Sequence, residues 1–165
     1  MNNYKAFYFT DDGIIPNSHL PVIMYPEVTS DVMNADWFEK KFTQNNWTNN
    51  WRDIILTYDH FHSNTHEVLA VGSGNVTLQI GGSKGQVMKL SPGNVLVIPA
   101  GVGHCAISAQ TNYQVVGGYP NGSSWDLLTG AVGERKQALE NIAKVPIPTT
   151  DPIFGSKGIL LDLWK

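Results

Sequence analysis

Five histidines occur in this 165-residue chain, and four of them fall in two short segments: Asp59-His60-Phe61-His62-Ser63-Asn64-Thr65-His66-Glu67 and Pro99-Ala100-Gly101-Val102-Gly103-His104. Side chains alternate between faces along an extended strand, so His60 and His62 point the same way while Phe61 points oppositely. A polar turn then leads to Glu67, at the head of an apolar run over 67–71 whose partner strand returns the carboxylate to that face. His104 opens another strand after a Pro/Gly turn and is placed to add a fourth donor from across a barrel. Three imidazoles and one carboxylate suit one divalent transition metal ion (Mn, Fe, Ni, Co, Cu or Zn) rather than Ca or Mg, which favour all-oxygen shells. An ion that accepts six donors would keep two positions for water, dioxygen or a bidentate substrate. A His-x-His pair also suits an exposed polar face, so spacing alone leaves both readings open.

Other groups near these segments have chemistry to offer. Tyr58 shares the His60/His62 face by parity and, with His66, is a candidate for moving a proton. His66 adjoins Glu67 and so faces away from it on a regular strand; it either supports the site or replaces Glu67 as a donor. Cys105 stands in the same relation to His104 and reads as a small buried hydrophobe. Tyr58, Phe61, Tyr113, Tyr119 and Trp125 are candidate pocket walls. Arg52 either clamps a carboxylate or pairs on the surface with Asp53 or Asp59, and His19 lies in an exposed Pro-rich loop.

The elements that must position these residues are mostly strands. Apolar runs over 6–9 and 20–25 predict two strands or arms, and Asp36 is placed to cap a short helix carrying Trp37, Phe38 and Phe42, with the polar run 44–50 at its end. Strand-like runs follow at 54–58, 68–71, 76–80, 86–90, 95–98, 104–107 and 113–117, separated by Gly-, Ser- and Pro-rich turns. So many short strands with no helix between them argue for an antiparallel sandwich or small barrel. A second helix is expected over 134–145, with Ala138, Leu139, Ile142 and Val145 on one face, ended by Pro146 and Pro148. The tail 149–165 is expected to add a strand or arm.

Composition narrows the class of partner. Eleven Lys and Arg against 14 Asp and Glu give a net charge of −3, and no basic run offers a footprint for nucleic acid or an anionic membrane. No stretch approaches the roughly 18 apolar residues of a membrane span, and one cysteine forms no internal disulfide. A soluble, cytoplasmic single domain over 1–165 is expected, acting on a small molecule. Apolar terminal arms suggest a homodimer.

The two histidine segments resemble the signature motifs of the cupin superfamily. The first motif is matched by His60-Phe61-His62, four residues, Glu67, six residues and Gly74; only its opening glycine fails, at Ile54. The second is matched by Gly93, Pro99, Gly101 and His104, and its final asparagine is replaced by Ser108. Neither departure touches a donor. The resemblance implies an all-β antiparallel jelly-roll barrel, here with two short peripheral helices, and a metal held by His60, His62, Glu67 and His104. Trp51-Arg52-Asp53, Tyr119-Pro120-Asn121-Gly122 and the segment 151–155 are similar to small bacterial single-domain cupins. A metal-dependent oxygenase, isomerase or decarboxylase acting on a small polar molecule is the implied function; the alternative is a non-catalytic barrel that binds a small ligand or sugar.

Overall fold

A computed structural model describes residues 3–26, 28 and 34–165. Among the described residues nine strands are present: β1 (Lys5–Phe9), β2 (Ser18–Tyr25), β3 (Trp47–Asp53), β4 (Glu67–Ser73), β5 (Val76–Ile80), β6 (Gln86–Leu90), β7 (Val95–Ile98), β8 (His104–Ala109) and β9 (Gln114–Pro120). Three helices accompany them: α1 (Ala35–Gln44), α2 (Arg135–Ile142) and α3 (Leu160–Leu163). A six-stranded sheet in the order β1-β2-β7-β4-β9-β3 packs against a three-stranded sheet in the order β6-β5-β8. Every pairing is antiparallel. This is the expected jelly-roll architecture, with its two sheets facing each other rather than closed into a continuous barrel.

The large sheet is buried on both faces, which explains why its inner strands read as near-continuous Val, Ile and Leu. Leu69 and Val71 of β4 face the small sheet and pack with Leu78, Ile80, Leu90 and Leu96. Their neighbours Val68 and Ala70 face the other way, onto Phe38 and Phe42 of α1 and onto Trp47, Leu160 and Trp164. The cap of α1 lies two residues before the expected one: Asn34, not Asp36, accepts the Trp37 amide at 3.0 Å.

Two strand expectations are corrected. The polar run after α1 forms β3, and the apolar run 54–58 is irregular. Asn46 and Asn49 sit at φ 61° and 54°, in the left-handed region that asparagine tolerates. A bulge lies between Thr48 and Trp51 opposite β9. That extra residue flips the strand, so Trp47 faces α1 while Trp51 faces the inter-sheet core. Arg52 reaches Asp36 and Glu39 of α1, at 2.7 and 2.5 Å, rather than Asp53 or Asp59.

The tail is an arm ending in α3, not a strand. The Trp164 indole donates to the Pro21 carbonyl at 2.9 Å. Asp151, fully buried, accepts the Tyr25 hydroxyl and the Ile153 and Phe154 amides. Burial and the Asp151 charge hold Tyr25 far above the ordinary tyrosine range. The unfolded chain ionises at that position near pH 10 while the folded chain stays neutral, so this contribution is complete below pH 10 and is lost as pH rises beyond it. Tyr25→Phe is expected to remove about 1.4 kcal/mol per pH unit from the alkaline slope of stability, read by urea unfolding between pH 9 and about 11.5. An unchanged slope would contradict this account. No described helix is long and apolar enough to cross a membrane.

Candidate metal centre

His60 and His104 exchange backbone hydrogen bonds, His104 N to His60 O at 2.9 Å and His60 N to His104 O at 3.3 Å. This bridge sets the two imidazoles side by side, 4.3 Å between ring centroids. His62, two residues on, turns its ring to within 5.7 Å of His60 and 5.8 Å of His104. The second motif is tied to the first by the Gly101 amide, which donates to the His62 carbonyl at 2.8 Å. Gly101 has φ 91°, and a Cβ there would stand 2.5 Å from the Asn17 carbonyl oxygen, so this turn requires glycine. Glu67 begins β4 on the same face as Leu69, and its Oε2 lies 3.3 Å from His62 Nε2 and 3.1 Å from His104 Nε2. All four side chains are buried.

The donor set fits a cation. The Nδ1 atoms of His60, His62 and His104 each meet a backbone carbonyl, of Tyr58, Asp126 and Val102 respectively. A carbonyl only accepts, so each Nδ1 carries the proton and each Nε2 presents a lone pair. The donor atoms of the three histidines lie within 4.8 Å of one another. Glu67 Oε2 is buried with no hydrogen-bond donor in proper geometry. Two donors about 2.1 Å from one ion, at right angles or tetrahedral angles, stand about 3.0 to 3.4 Å apart, which is the spacing of Glu67 from His62 and His104.

The electrostatics divide the histidines between a neutral donor and a partner of the carboxylate. Burial, then the neighbouring His104, pushes His60 down to about 3, which keeps it a neutral donor. Burial also acts against a charged His62, but the Glu67 carboxylate prevails and holds it above the ordinary histidine range. Burial favours a neutral Glu67, yet the His62 and His104 imidazoles keep its carboxyl well below the usual carboxylate range. The carboxylate is thus ionised and draws positive charge, which a protonated His62 supplies and which a cation displacing the His62 Nε2 proton would supply instead.

These four side chains form one end of a cavity of about 330 Å³, whose walls include Trp51, Ile55, Leu69, Tyr119, Trp125 and Leu127. Among the described residues no Lys or Arg lines it. The Tyr119 hydroxyl donates to Glu67 Oε1 at 3.2 Å and accepts the Trp51 indole N–H at 2.8 Å. Of the expected aromatic walls, Tyr119 and Trp125 take that place. Phe61 instead packs with Ile15 and Ala138, and Tyr113 joins the inter-sheet core with its hydroxyl on the Ile55 backbone. Tyr58 is half-exposed outside the cavity, edge-on to His60, because 54–58 is not a regular strand and parity does not extend to it. His66 lies on the opposite face, its Nδ1 accepting the Ala100 amide at 3.0 Å and its ring 4.6 Å from that of Trp164. Cys105 is buried, and Ile54 and Ser108, the two motif departures, are exposed.

Asp126 was not a sequence candidate. Its carbonyl holds His62 Nδ1, and its carboxylate takes the Ser63 amide at 2.6 Å and the Ser63 hydroxyl. Trp51 was read only as part of a resemblance. No local pattern marks either residue, since their partners lie more than 60 positions away.

A two-sheet antiparallel jelly roll carrying His-x-His, Glu and His on facing strands defines a cupin, and the chain belongs to that superfamily: the cupin domain profile matches residues 57–116. Over 161 residues the chain is 38% identical to the uncharacterized protein YjlB of Bacillus subtilis strain 168, spanning 97% of this chain and 96% of that one. Among solved structures it is similar to acireductone dioxygenase from Bacillus anthracis, described with a cadmium ion in its active center, at 15% identity and a TM-score of 0.42, covering 75% of this chain and 81% of that one. It is also similar to the 7S globulin of Momordica charantia, at 21% identity and a TM-score of 0.37, over 47% of this chain; the match spans 25% of the globulin.

Proposed function

We propose that this cupin is a metal-dependent enzyme in which His60, His62, His104 and Glu67 hold one divalent transition metal ion and the adjoining cavity admits a small-molecule substrate. The supporting observation is the convergence of three Nε2 lone pairs and an unpartnered, buried carboxylate oxygen at one end of a cavity. When bound, such an ion supplies Lewis acidity to a substrate oxygen, as oxygenase, isomerase and decarboxylase reactions all use. The chain itself does the positioning. Tyr119 and Trp51 hold Glu67 in orientation, and Asp126 does the same for His62. Trp51, Ile55, Leu69 and Leu127 exclude water around whatever oxygen-bearing head reaches the histidines. The described walls carry no Lys or Arg, so the ion itself would be the partner of an anionic substrate head. Its walls are mainly apolar, with the polar Asn49, Asn50 and Asp53 among them. Tyr119 offers the hydroxyl in contact with the site carboxylate, a better position for proton handling than Tyr58 or His66.

Elemental analysis of protein purified without chelator is expected to show about one transition metal ion per chain, and the His60→Ala/His62→Ala double variant none. A wild-type protein that is metal-free and takes up none of Mn, Fe, Co, Ni, Cu or Zn on dialysis would overturn the reading. Oxygen uptake after anaerobic Fe(II) loading, in the presence of small hydroxy acids or diols, separates an oxygenase from the other two classes. The homodimer is proposed to form through the sheet edge at β1, where Tyr8 is 66% exposed, and light scattering reads it as a doubled mass. The unpaired Cys105 is compatible with a reducing, cytoplasmic setting.

A further inference from the structure

One wall of the cavity over the histidines is β3, through Asn49, Asn50, Trp51 and Asp53. Arg52, between Trp51 and Asp53, turns to the other face of the strand and pairs with Asp36 and Glu39. Asp53 is thereby deprived of the cation next to it in sequence. It forms no ion pair among the described residues, and its one hydrogen bond there is from the Ile54 amide to Oδ1, at 2.7 Å. The side-chain donors beside it are already committed. Asn49 Nδ2 donates to the Ser123 carbonyl, Asn50 Nδ2 to the carbonyls of Trp47 and Gly117, and the Trp51 indole to Tyr119. What β3 still offers a ligand is acceptor oxygen, on Asn49 and on the exposed Asp53. Trp125, also in the walls, stacks on Tyr119 with 6.4 Å between ring centroids and is still 46% exposed. Acceptor oxygens, a negative charge and an aromatic face are together what an ammonium group seeks, with its three N–H donors and its attraction to a π face. At the other end of the same cavity Glu67, 3% exposed, holds Oε2 without a hydrogen-bond donor. An ion bound there makes the cavity positive at the histidines and leaves it negative at the mouth.

We infer that Asp53 selects the substrate by charge: the molecule that fills this cavity carries a protonated amine, held at the mouth by Asp53 and the aromatic walls, and an oxygen-bearing head that reaches the histidines. The head rests on the metal-dependent reading. The choice of an amine is a property of Asp53 and is measured as a ratio of affinities, which separates it from the strength of the metal contact.

Dopamine serves as the probe, since its paired phenol oxygens suit a metal ion and its ethylammonium carries the charge. Hydroxytyrosol, the same catechol with a hydroxyl in place of the ammonium, is the control. Both are titrated anaerobically at neutral pH into Zn(II)-loaded protein. Dopamine is expected to bind about fivefold more tightly or better, and the ratio to shrink at high salt. Asp53→Asn keeps an oxygen for the Ile54 amide and removes the charge. It is expected to cut the ratio about threefold or more while zinc content, unfolding midpoint and hydroxytyrosol affinity stay as in the wild type. Asp53→Lys is expected to reverse the preference. Equal affinities in the wild type overturn the inference, as does a ratio untouched by Asp53→Asn or the absence of saturation by either probe up to about 20 mM. Failure of the metal-dependent reading shows elsewhere, as wild-type protein that takes up no zinc or as a His60→Ala/His62→Ala variant that binds hydroxytyrosol as tightly as the wild type does.

Discussion

Asp151→Ala is expected to destabilise the protein by about 3 to 5 kcal/mol. The side chain is fully buried, and its removal strands three donors at once: the Tyr25 hydroxyl and the amides of Ile153 and Phe154. Each unsatisfied buried donor costs about 1 to 3 kcal/mol, and partial relaxation toward water keeps the sum below the maximum. Shape adds to the loss, because Gly158 packs so closely on Asp151 that a Cβ at 158 would lie 2.2 and 2.4 Å from Cγ and Oδ2, the atoms the substitution removes. Asp151→Asn keeps one acceptor oxygen for the two amides, and the Tyr25 hydroxyl can turn to accept from the new amide, so a loss of about 1 kcal/mol is expected. Urea unfolding monitored by tryptophan fluorescence checks both, through a lowered midpoint at constant slope. If Asp151→Ala is as stable as Asp151→Asn, the arm is not held in this way.

Gly117→Ala is expected to produce the second large effect, on stability and on metal affinity together. Gly117 on β9 pairs with Trp51 on β3, and a Cβ there would meet the indole at 2.1 to 2.4 Å. The ring must leave its place, since overpacking of this kind costs about 1 to 3 kcal/mol. Leaving breaks the indole bond to Tyr119, whose hydroxyl orients Glu67, and supporting contacts of this sort are worth about 10- to 100-fold in metal affinity. The expected outcome is a red-shifted tryptophan emission, a lowered unfolding midpoint and weaker Zn(II) or Co(II) binding by competition with a chelator. Tyr119→Phe isolates the second part: it removes the bond to Glu67 with little change in volume, and weaker metal binding without the emission shift is expected.

The four side chains proposed to hold the metal were legible because their placement is local. Alternation puts His60 and His62 on one face, and a Pro-x-Gly turn delivers His104. Glu67 is set by its parity with Leu69 on β4. Strands 76–80, 86–90 and 95–98 were bounded correctly by the turn residues around them. Legibility ended where contacts between distant segments decide the outcome. The run 54–58 is apolar because it borders the mouth of a cavity, with Ile54 and Leu56 exposed, and not because it forms a strand. β3 was hidden in a polar, asparagine-rich stretch whose bulge no periodicity reports. α2 looked like a core helix, yet only Ala138 of its apolar face is fully buried, since apolar spacing is the same whether or not the face meets a core. Trp51 and Asp126 act through partners 68 and 63 positions away, and no window of sequence shows that.

The order in which the chain leaves the ribosome gives the double-sided sheet a further consequence. Once β9 has been made, β2, β4, β7 and β9 are all available to pair, and their inner face to close against β5, β6 and β8. Their outer face, with Ile23, Val68, Ala70, Val95 and Val97, is by then partly covered by α1 but still lacks Ile153, Leu160 and Trp164. Those residues arrive last and return to strands made first: Asp151 reaches Tyr25 across 126 positions and Trp164 reaches Pro21 across 143. Contacts of such separation are slow to form, and until they do a strip of valine and isoleucine stays open to water and to other nascent chains. Truncation before Asp151 should therefore yield a species that is paired in its sheets yet prone to aggregate.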